Sequence, residues 1–129
     1  MKKRYLIVIA DYYKDISNGL LKSAKEALPK SNTINIIKVP GVFEIPVTIS
    51  KNIKKYDGFL ALGCVIKGQT PHFDFISKAS TEAIINISIE NKKPIGNGII
   101  TCLNMQQAVA RKKKGREAAL AVISVLSQK

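Results

Sequence analysis

The residues best suited to chemistry lie in a polar segment, KGQTPHFD (67–74), between a strongly apolar run and a helical pattern. Gly68 lets the backbone approach a ligand closely, and the hydroxyl of Thr70 can donate a hydrogen bond. An imidazole titrates near neutral pH, so His72, the single histidine of the chain, can move protons there. The N–H groups that begin the following helix favour an anion. The alternative is that His72 is an exposed loop residue that only supports the helix end.

A second segment, VPGVFEIP (39–46), combines a turn, an aromatic ring and a carboxylate. Pro40-Gly41 signals a tight turn, Phe43 is able to pack on a ligand, and Glu44 stands where a helix begins. The simpler interpretation is a turn followed by an acidic residue that complements the helix dipole. From the local sequence alone, that simpler interpretation is the favoured one.

Two shorter segments offer a stacking face and a cationic clamp. Tyr12 and Tyr13 follow the first predicted strand and can present a ring face to a planar ligand, or can simply cover the sheet edge. The run RKKKGR (111–116) can hold a phosphate or contact nucleic acid, whereas a bare run of charges is usually a solvated surface. Neither segment decides a function by itself.

The elements that must position these segments alternate between short apolar runs and amphipathic helices. The predicted strands span residues 5–10, 33–39, 59–66 and 95–101. The predicted helices span residues 16–28, 44–55, 75–91 and 105–126, the last with an interruption near Gly115. Parallel strands joined by right-handed helical crossovers give an open α/β sheet with helices on both faces. Ligands of such sheets bind outside the carboxyl ends of the strands, which singles out loops 11–15, 40–44, 67–74 and 101–104.

Length and composition predict one soluble domain over residues 1–129. The 21 Lys and Arg against 9 Asp and Glu give a formal charge of +12, which favours an anionic partner: nucleic acid, an acidic membrane surface or a phosphorylated metabolite. The apolar run at 5–10 is too short for a signal peptide or a membrane span, so a cytoplasmic location is expected. Cys64 and Cys102 lie in apolar runs without a CxxC pair or neighbouring histidines, which predicts buried, reduced thiols and no metal site.

Several of these segments together resemble the lumazine synthase family. VPGVFEIP (39–46) is similar to the family's VPGAFE(L/I)P, and LGCVIKGQTPHFD (62–74) is similar to its LGxVIRGxTxHxDY stretch. GNGIIT (96–101), Gln107-Ala108 and the Lys-Gly-x-Glu-Ala-Ala pattern at 114–119 match the family's last strand and helix. The agreement runs in register from about Tyr5 to Leu126, which is nearly the whole chain.

This resemblance implies a flavodoxin-like three-layer α/β sandwich with a four-stranded parallel sheet. It implies an enzyme of riboflavin biosynthesis that condenses 5-amino-6-(D-ribitylamino)uracil with 3,4-dihydroxy-2-butanone 4-phosphate, using no cofactor and no metal. It also implies a homo-oligomer built from pentamers, with active sites between neighbouring subunits and riboflavin synthase as a partner. Nucleic acid and membranes are not expected partners.

The resemblance also assigns roles to individual residues. His72 corresponds to the proton-transfer histidine, and Tyr12 to the aromatic that stacks on the uracil ring. Val42, Phe43 and Glu44 correspond to the stretch that holds the ribityl chain, and Cys64, Val65 and Ile66 to the strand end that contacts the pyrimidine. Gln69 and Thr70 correspond to the phosphate-binding pair. From the neighbouring subunit come Asn97, at the position that contacts the pyrimidine, Arg111, which binds the phosphate, and Lys114, a further basic residue near it.

The chain departs from the family pattern at two places. Asn97 stands where several members carry phenylalanine, so a polar contact replaces ring stacking. The stretch between Arg111 and Lys114 is several residues shorter than the usual AGxKxGNKG, which affects the placement of Lys114 most. The oligomer could be a pentamer, a decamer or an icosahedral shell.

Other function classes remain as alternatives. One is a scaffold of the same fold that binds riboflavin or lumazine without turnover. A second is a basic RNA-binding module, which the charge favours although no aromatic-basic motif supports it. A flavin-binding electron carrier would need a Ser/Thr-rich loop where this chain has DYYKD (11–15), and a receiver domain would need clustered acids there and an acid where Ile66-Lys67 stands.

Overall fold

The computed structural model describes residues 2–68 and 71–128, and within them four strands alternate with helices. The strands are β1 (Arg4–Ala10), β2 (Thr33–Val39), β3 (Gly58–Ile66) and β4 (Ile95–Cys102). The helices are α1 (Lys14–Ala27), α2 (Ile45–Lys51), α3 (His72–Asn91), α4 (Met105–Ala110) and α5 (Lys114–Leu126). A short 3-10 turn, Val42–Glu44, leads into α2.

The strands form one parallel sheet in the order β2-β1-β3-β4. Its register places Ile7 of β1 between Ile36 of β2 and Leu60 of β3. The predicted flavodoxin-like α/β fold with a four-stranded parallel sheet is therefore confirmed. In this order the chain moves from β1 to one side for β2 and to the other side for β3. The carboxyl ends of β1 and β3 consequently flank the point where a doubly wound sheet binds its ligands.

Alternating side chains of the sheet build two apolar layers. On one face, Ile7, Ile9 and Leu62 pack with α1 and α5 through residues such as Leu20 and Val122. The opposite face packs against α2 and α3, where the buried side chains are Leu6, Val8, Phe59, Ala61, Ile45, Ile49 and Ile84. A strand that is covered on both faces needs apolar side chains at successive positions. This is why β1 and β3 are continuous apolar runs in the sequence.

The interruption of the last helix that was predicted near Gly115 is present. The break lies at residues 111–113, between α4 and α5, and Gly115 is buried in the first turn of α5. A Cβ atom there would lie 2.0 Å from the carbonyl oxygen of Leu20 in α1. The residue is therefore glycine because α1 and α5 approach each other closely, and a contact between distant segments leaves no periodic signal in the local sequence.

Two further boundaries differ from the sequence prediction. Helix α3 begins at His72 instead of Phe75, because Pro71, with φ at −72°, already has the geometry that a helix entry needs. Helix α2 ends at Lys51 instead of about Lys55. There the N–H of Asn52 donates to the carbonyl of Ile49 at 3.0 Å, and its side-chain amide donates to that of Thr48 at 2.8 Å.

Two expectations about the rest of the molecule can be compared with the structure. Cys64 and Cys102 are both buried and unbridged, as predicted. Among the described residues, no helix combines the length and the apolar character that crossing a membrane requires.

Candidate active site

A cavity of about 710 Å³ opens at the carboxyl ends of β1 and β3, and we call it the first cavity. It lies at the reversal of strand order, where ligands of doubly wound sheets bind. Its walls come from the loop after β1, the 3-10 turn, the end of β3 and the first turns of α3. The lining residues are Tyr12, Tyr13, Gly41, Val42, Phe43, Glu44, Cys64, Val65, Ile66, His72 and Ile76.

The loop after β1 presents Tyr12 to this cavity. The buried hydroxyl of Ser17 in α1 donates to the carbonyl of Ala10 at 2.8 Å, which ties the helix to the strand end. The N–H of Asp11 donates to the carbonyl of Val39 at 3.3 Å and holds the loop against β2. Tyr12 remains 75 % exposed on this supported loop. Its ring is therefore available to a planar ligand.

The 3-10 turn lies directly over the sheet because β3 contains a glycine beneath it. A Cβ atom on Gly63 would lie 2.9 Å from Cγ2 of Val42, so the small residue makes room for the turn. Val42 is buried there, whereas Phe43 is 63 % exposed and Glu44 is half-buried. The turn thus anchors itself through Val42 and offers one aromatic ring and one carboxylate to the cavity.

The end of β3 forms the floor of the first cavity. Cys64 is buried, and Val65 and Ile66 are half-buried. Burial, and then the neighbouring thiol of Cys102, raise the pKa of Cys64 to about 12. A thiol that stays protonated at neutral pH is a poor nucleophile. Cys64 is therefore suited to contact a ligand and not to attack it.

His72 begins α3 and lines the first cavity. Its side chain is exposed, and Ile76, one helical turn further, lines the same wall. Gln69 and Thr70, which the resemblance assigns to phosphate, lie outside the described residues. The described part of this wall therefore supplies an imidazole at the start of a 20-residue helix.

A second cavity, of about 550 Å³, follows the outer side of β4, an edge strand of the sheet. Arg111, Lys113 and Lys114 give it a cationic wall, and Glu117 lies among them. Nη1 of Arg111 donates to the carbonyl of Thr101 at 3.1 Å, which holds the guanidinium near the carboxyl end of β4. The remaining lining residues are Asn97, Ile99, Ile100, Thr101 and Ala110. Such a wall suits a phosphate group.

Asn97 and Lys114 complete the polar groups of the second cavity. The side-chain oxygen of Asn97 accepts from the N–H of Ile99 at 3.0 Å, so its NH₂ group is what it can offer a ligand. Nζ of Lys114 lies 3.4 Å from the carboxylate of Glu117, and both side chains are well exposed. An exposed pair of this kind contributes little stability, and Lys114 can exchange it for a stronger anion.

The cationic run 111–116 divides between two roles. Nζ of Lys112 donates to the carboxylate of Asp15 at 2.9 Å, and the carbonyl of Lys112 accepts from the hydroxyl of Ser23 at 3.2 Å. Lys112 thus connects α1 to the segment between α4 and α5. Its neighbours Arg111, Lys113 and Lys114 instead face the second cavity.

Within the described residues, the two cavities have no lining residue in common. The first gathers eight of the site residues that the sequence suggested: Tyr12, Val42, Phe43, Glu44, Cys64, Val65, Ile66 and His72. The second gathers Asn97, Arg111 and Lys114. The candidate residues of a single chain therefore fall into two groups, each lining its own cavity.

The sequence reasoning missed several cavity residues. Tyr13 was considered only as part of a possible stacking face, yet it lines the first cavity with Tyr12. Ile76 follows His72 by four residues, and that helical spacing was a usable signal. Lys113 and Thr101 line the second cavity, and the sequence had included them only in a cationic run and in a loop, without assigning either to the site.

Comparison with known proteins agrees with the resemblance seen in the sequence. The family profile for 6,7-dimethyl-8-ribityllumazine synthase matches residues 2–129. A protein of that name from Agrobacterium fabrum is 41 % identical over 141 aligned positions, covering 99 % of this chain and 95 % of the relative. Proteins of the same name from Corynebacterium kroppenstedtii and Bartonella bacilliformis are 39 % and 42 % identical. Each match covers 93 % of this chain, with 80 % and 88 % of the respective relatives. The chain therefore belongs to the 6,7-dimethyl-8-ribityllumazine synthase family.

Proposed function

We propose that this chain catalyses the condensation of 5-amino-6-(D-ribitylamino)uracil with 3,4-dihydroxy-2-butanone 4-phosphate in riboflavin biosynthesis. The products are 6,7-dimethyl-8-ribityllumazine, inorganic phosphate and water. The observation that carries this proposal is the first cavity, which Tyr12, Glu44 and His72 line together at the carboxyl ends of β1 and β3. Family membership over residues 2–129 supplies the reaction that these groups would serve.

The uracil substrate would occupy the first cavity. The exposed ring of Tyr12 suits a planar pyrimidine. The apolar end of β3, from Cys64 to Ile66, would contact the pyrimidine from the floor of the cavity. The ribityl chain carries hydroxyl groups, which the 3-10 turn can meet with the carboxylate of Glu44 and with backbone groups beside Phe43. These contacts would leave the 5-amino group facing His72.

Acid–base chemistry at His72 would serve the first and middle steps. The 5-amino nitrogen attacks the ketone carbon, and the adduct loses water to give a Schiff base. Phosphate then leaves, and closure of the ring releases a second water. The elimination of phosphate takes a proton from the carbon beside the imine, and the other steps move protons between nitrogen, oxygen and solvent. An imidazole at the cavity wall can serve both. The electrons balance without an oxidant, so the proposed reaction needs no redox cofactor.

The phosphate of the second substrate would be held by cations from the second cavity. Arg111 presents a planar fork of donors that fits a phosphate, and Lys113 and Lys114 add positive charge beside it. Gln69 and Thr70, which lie outside the described residues, remain proposed phosphate ligands on the strength of the resemblance. Because the amine and the ketose phosphate are already reactive, aligning them supplies much of the acceleration.

The proposed active site is shared between two subunits. The phosphate-binding cations and Asn97 line the second cavity, while the groups for the uracil ring line the first. We propose that the second cavity of one subunit closes the first cavity of its neighbour, in a homo-oligomer built from pentamers. A closed ring of identical contacts satisfies such a head-to-tail arrangement.

The setting of the enzyme follows from the same proposal. The chain would act in the cytoplasm as a single domain over residues 1–129. Its product would pass to riboflavin synthase, which is the proposed partner protein. The formal charge of +12 would serve to attract the anionic ketose phosphate.

The experiment that tests the function is a turnover assay with both substrates, followed by the fluorescence of the lumazine product. Purified protein should form product and release phosphate in equal amounts, and should sediment as a multiple of five chains. Omission of either substrate is the control. Tight binding of the product without turnover would contradict the proposal and leave a ligand-binding scaffold of the same fold. Retention on an RNA column at physiological salt, again without turnover, would indicate a nucleic-acid function instead.

A further inference from the structure

Tyr13 lies beside Tyr12 in the first cavity, but the two rings are placed very differently. Tyr12 is 75 % exposed, whereas Tyr13 is half-buried and packs against the apolar layer under α1. The ring centroids are 4.9 Å apart, and the ring planes make an angle of 86°. That distance and angle match the favoured edge-to-face contact of two aromatic rings. A fixed ring thus supports an exposed one.

From this contact we infer that Tyr13 is a positioning residue, which holds the plane of the Tyr12 ring in the orientation that receives the planar ring of the substrate. The inference rests on the proposed function, because it assumes that Tyr12 stacks on the uracil ring. It adds a residue that acts through Tyr12 to the groups that contact the substrate directly.

The surroundings of Tyr13 explain why it can serve as a fixed support. Its residue caps the start of α1, and its carbonyl accepts from the N–H of Ser17 at 2.9 Å, so its backbone belongs to the helix. Burial raises the pKa of the Tyr13 hydroxyl, and the neighbouring groups of Cys64 and Tyr12 raise it further. The side chain therefore stays neutral and lies against the end of β3.

Without this support, the Tyr12 ring would sample several rotamers on an exposed loop. Ordering a mobile aromatic side chain when the substrate binds costs free energy that a preorganised ring does not lose. An edge-to-face pair contributes an amount that corresponds to about a 2- to 13-fold change in binding. Loss of the Tyr13 ring should therefore weaken uracil binding within that range, and should leave the binding of the ketose phosphate unchanged.

Two variants of Tyr13 separate positioning from general stability. Tyr13→Leu keeps an apolar side chain of moderate size but removes the aromatic edge. It should raise the KM for the uracil substrate by about 2- to 13-fold, with the KM for the ketose phosphate changed by less than about twofold. Tyr13→Phe keeps the ring and should restore the KM for the uracil. An equal rise of both KM values, or a failure of the phenylalanine to restore the first, would contradict the inference.

A double-mutant cycle with Tyr12 provides the decisive test. If Tyr13 acts through the Tyr12 ring, Tyr13→Leu should have no further effect on uracil KM once Tyr12 is also leucine, within about twofold. An undiminished effect in that background would mean that Tyr13 contacts the substrate itself or only supports the fold, and would overturn the inference. The unsubstituted protein is assayed in parallel. Its failure to turn over would refute the proposed function and this inference with it. Normal turnover of the parent with no effect of Tyr13→Leu would refute the inference alone.

Discussion

Replacing Arg111 with alanine should weaken the capture of the ketose phosphate much more than that of the uracil substrate. The guanidinium lies in the second cavity, where its Nη1 donates to the carbonyl of Thr101 at 3.1 Å. The guanidinium has further N–H donors with which it can bind an anion. A hydrogen bond to a charged group is worth about 1.5–3 kcal/mol, which corresponds to about a 10- to 150-fold rise in KM.

The effect on stability should be smaller than the effect on binding. The Arg111 side chain is exposed, so water can replace it at the carbonyl of Thr101 when it is removed. The melting temperature should therefore fall by only a few degrees, for a loss of about 1 kcal/mol or less. Arg111→Lys keeps the charge without the planar fork and should give an intermediate KM.

The assay follows initial rates of lumazine formation while one substrate is varied and the other is saturating. Arg116→Ala is the matched control. It removes an exposed cation from the same part of the chain, but from outside the described lining of the second cavity. Equal rises in KM for both substrates, or an equal effect of Arg116→Ala, would show that Arg111 is not the phosphate ligand.

Three further perturbations have definite expected outcomes. His72→Ala should lower kcat by about 10²-fold, the low end for acid–base catalysis, and should leave the KM for the uracil substrate little changed; unchanged turnover would make His72 structural. Gly115→Ala forces a methyl against the carbonyl oxygen of Leu20 and should lower the free energy of unfolding, measured with denaturant, by about 3 kcal/mol. Gly68→Ala is the control, because its methyl would meet no described atom within 4 Å and should lower that free energy little. Burial raises the pKa of Cys64 from its ordinary 9.0 to about 12, so its thiol stabilises the fold fully below pH 9 and progressively less as pH rises toward 12. Unfolding measured from pH 8 to 12 should therefore lose more stability in the parent than in Cys64→Ala, and parallel losses would contradict the burial argument.

Much of the sheet could be predicted because its strands are buried on both faces. FLALGCVI is a continuous apolar run, and only a strand covered by two helical layers requires one. The break between α4 and α5 was predicted only to within a few residues, because Gly115 lies inside α5, where its close contact with the carbonyl of Leu20 in α1 requires a glycine. The early start of α3 was missed although Pro71, a residue suited to a helix entry, was visible in the sequence.

The sequence predicted which residues belong to the candidate site more readily than how those residues are arranged in space. The rule that ligands bind at the carboxyl ends of strands selected the loops that carry Tyr12, Glu44 and His72, and these do line one cavity. The division into two cavities depends on the strand order β2-β1-β3-β4, which places β4 at an edge. No local sequence pattern indicates that strand order. Before the structure, only the family resemblance divided the candidate site residues into two groups.

The central claim is that the first cavity of one subunit and the second cavity of its neighbour form one active site. It can be tested by co-expressing two weak variants, His72→Ala and Arg111→Ala, and assaying the mixed oligomer at low ketose phosphate. Random mixing in equal amounts gives about one site in four that has both His72 and Arg111 intact. The account predicts that the mixture recovers about a quarter of the parent activity, far above either variant alone. Activity equal to the average of the two variants, in an oligomer shown to contain both, would contradict a site shared between subunits.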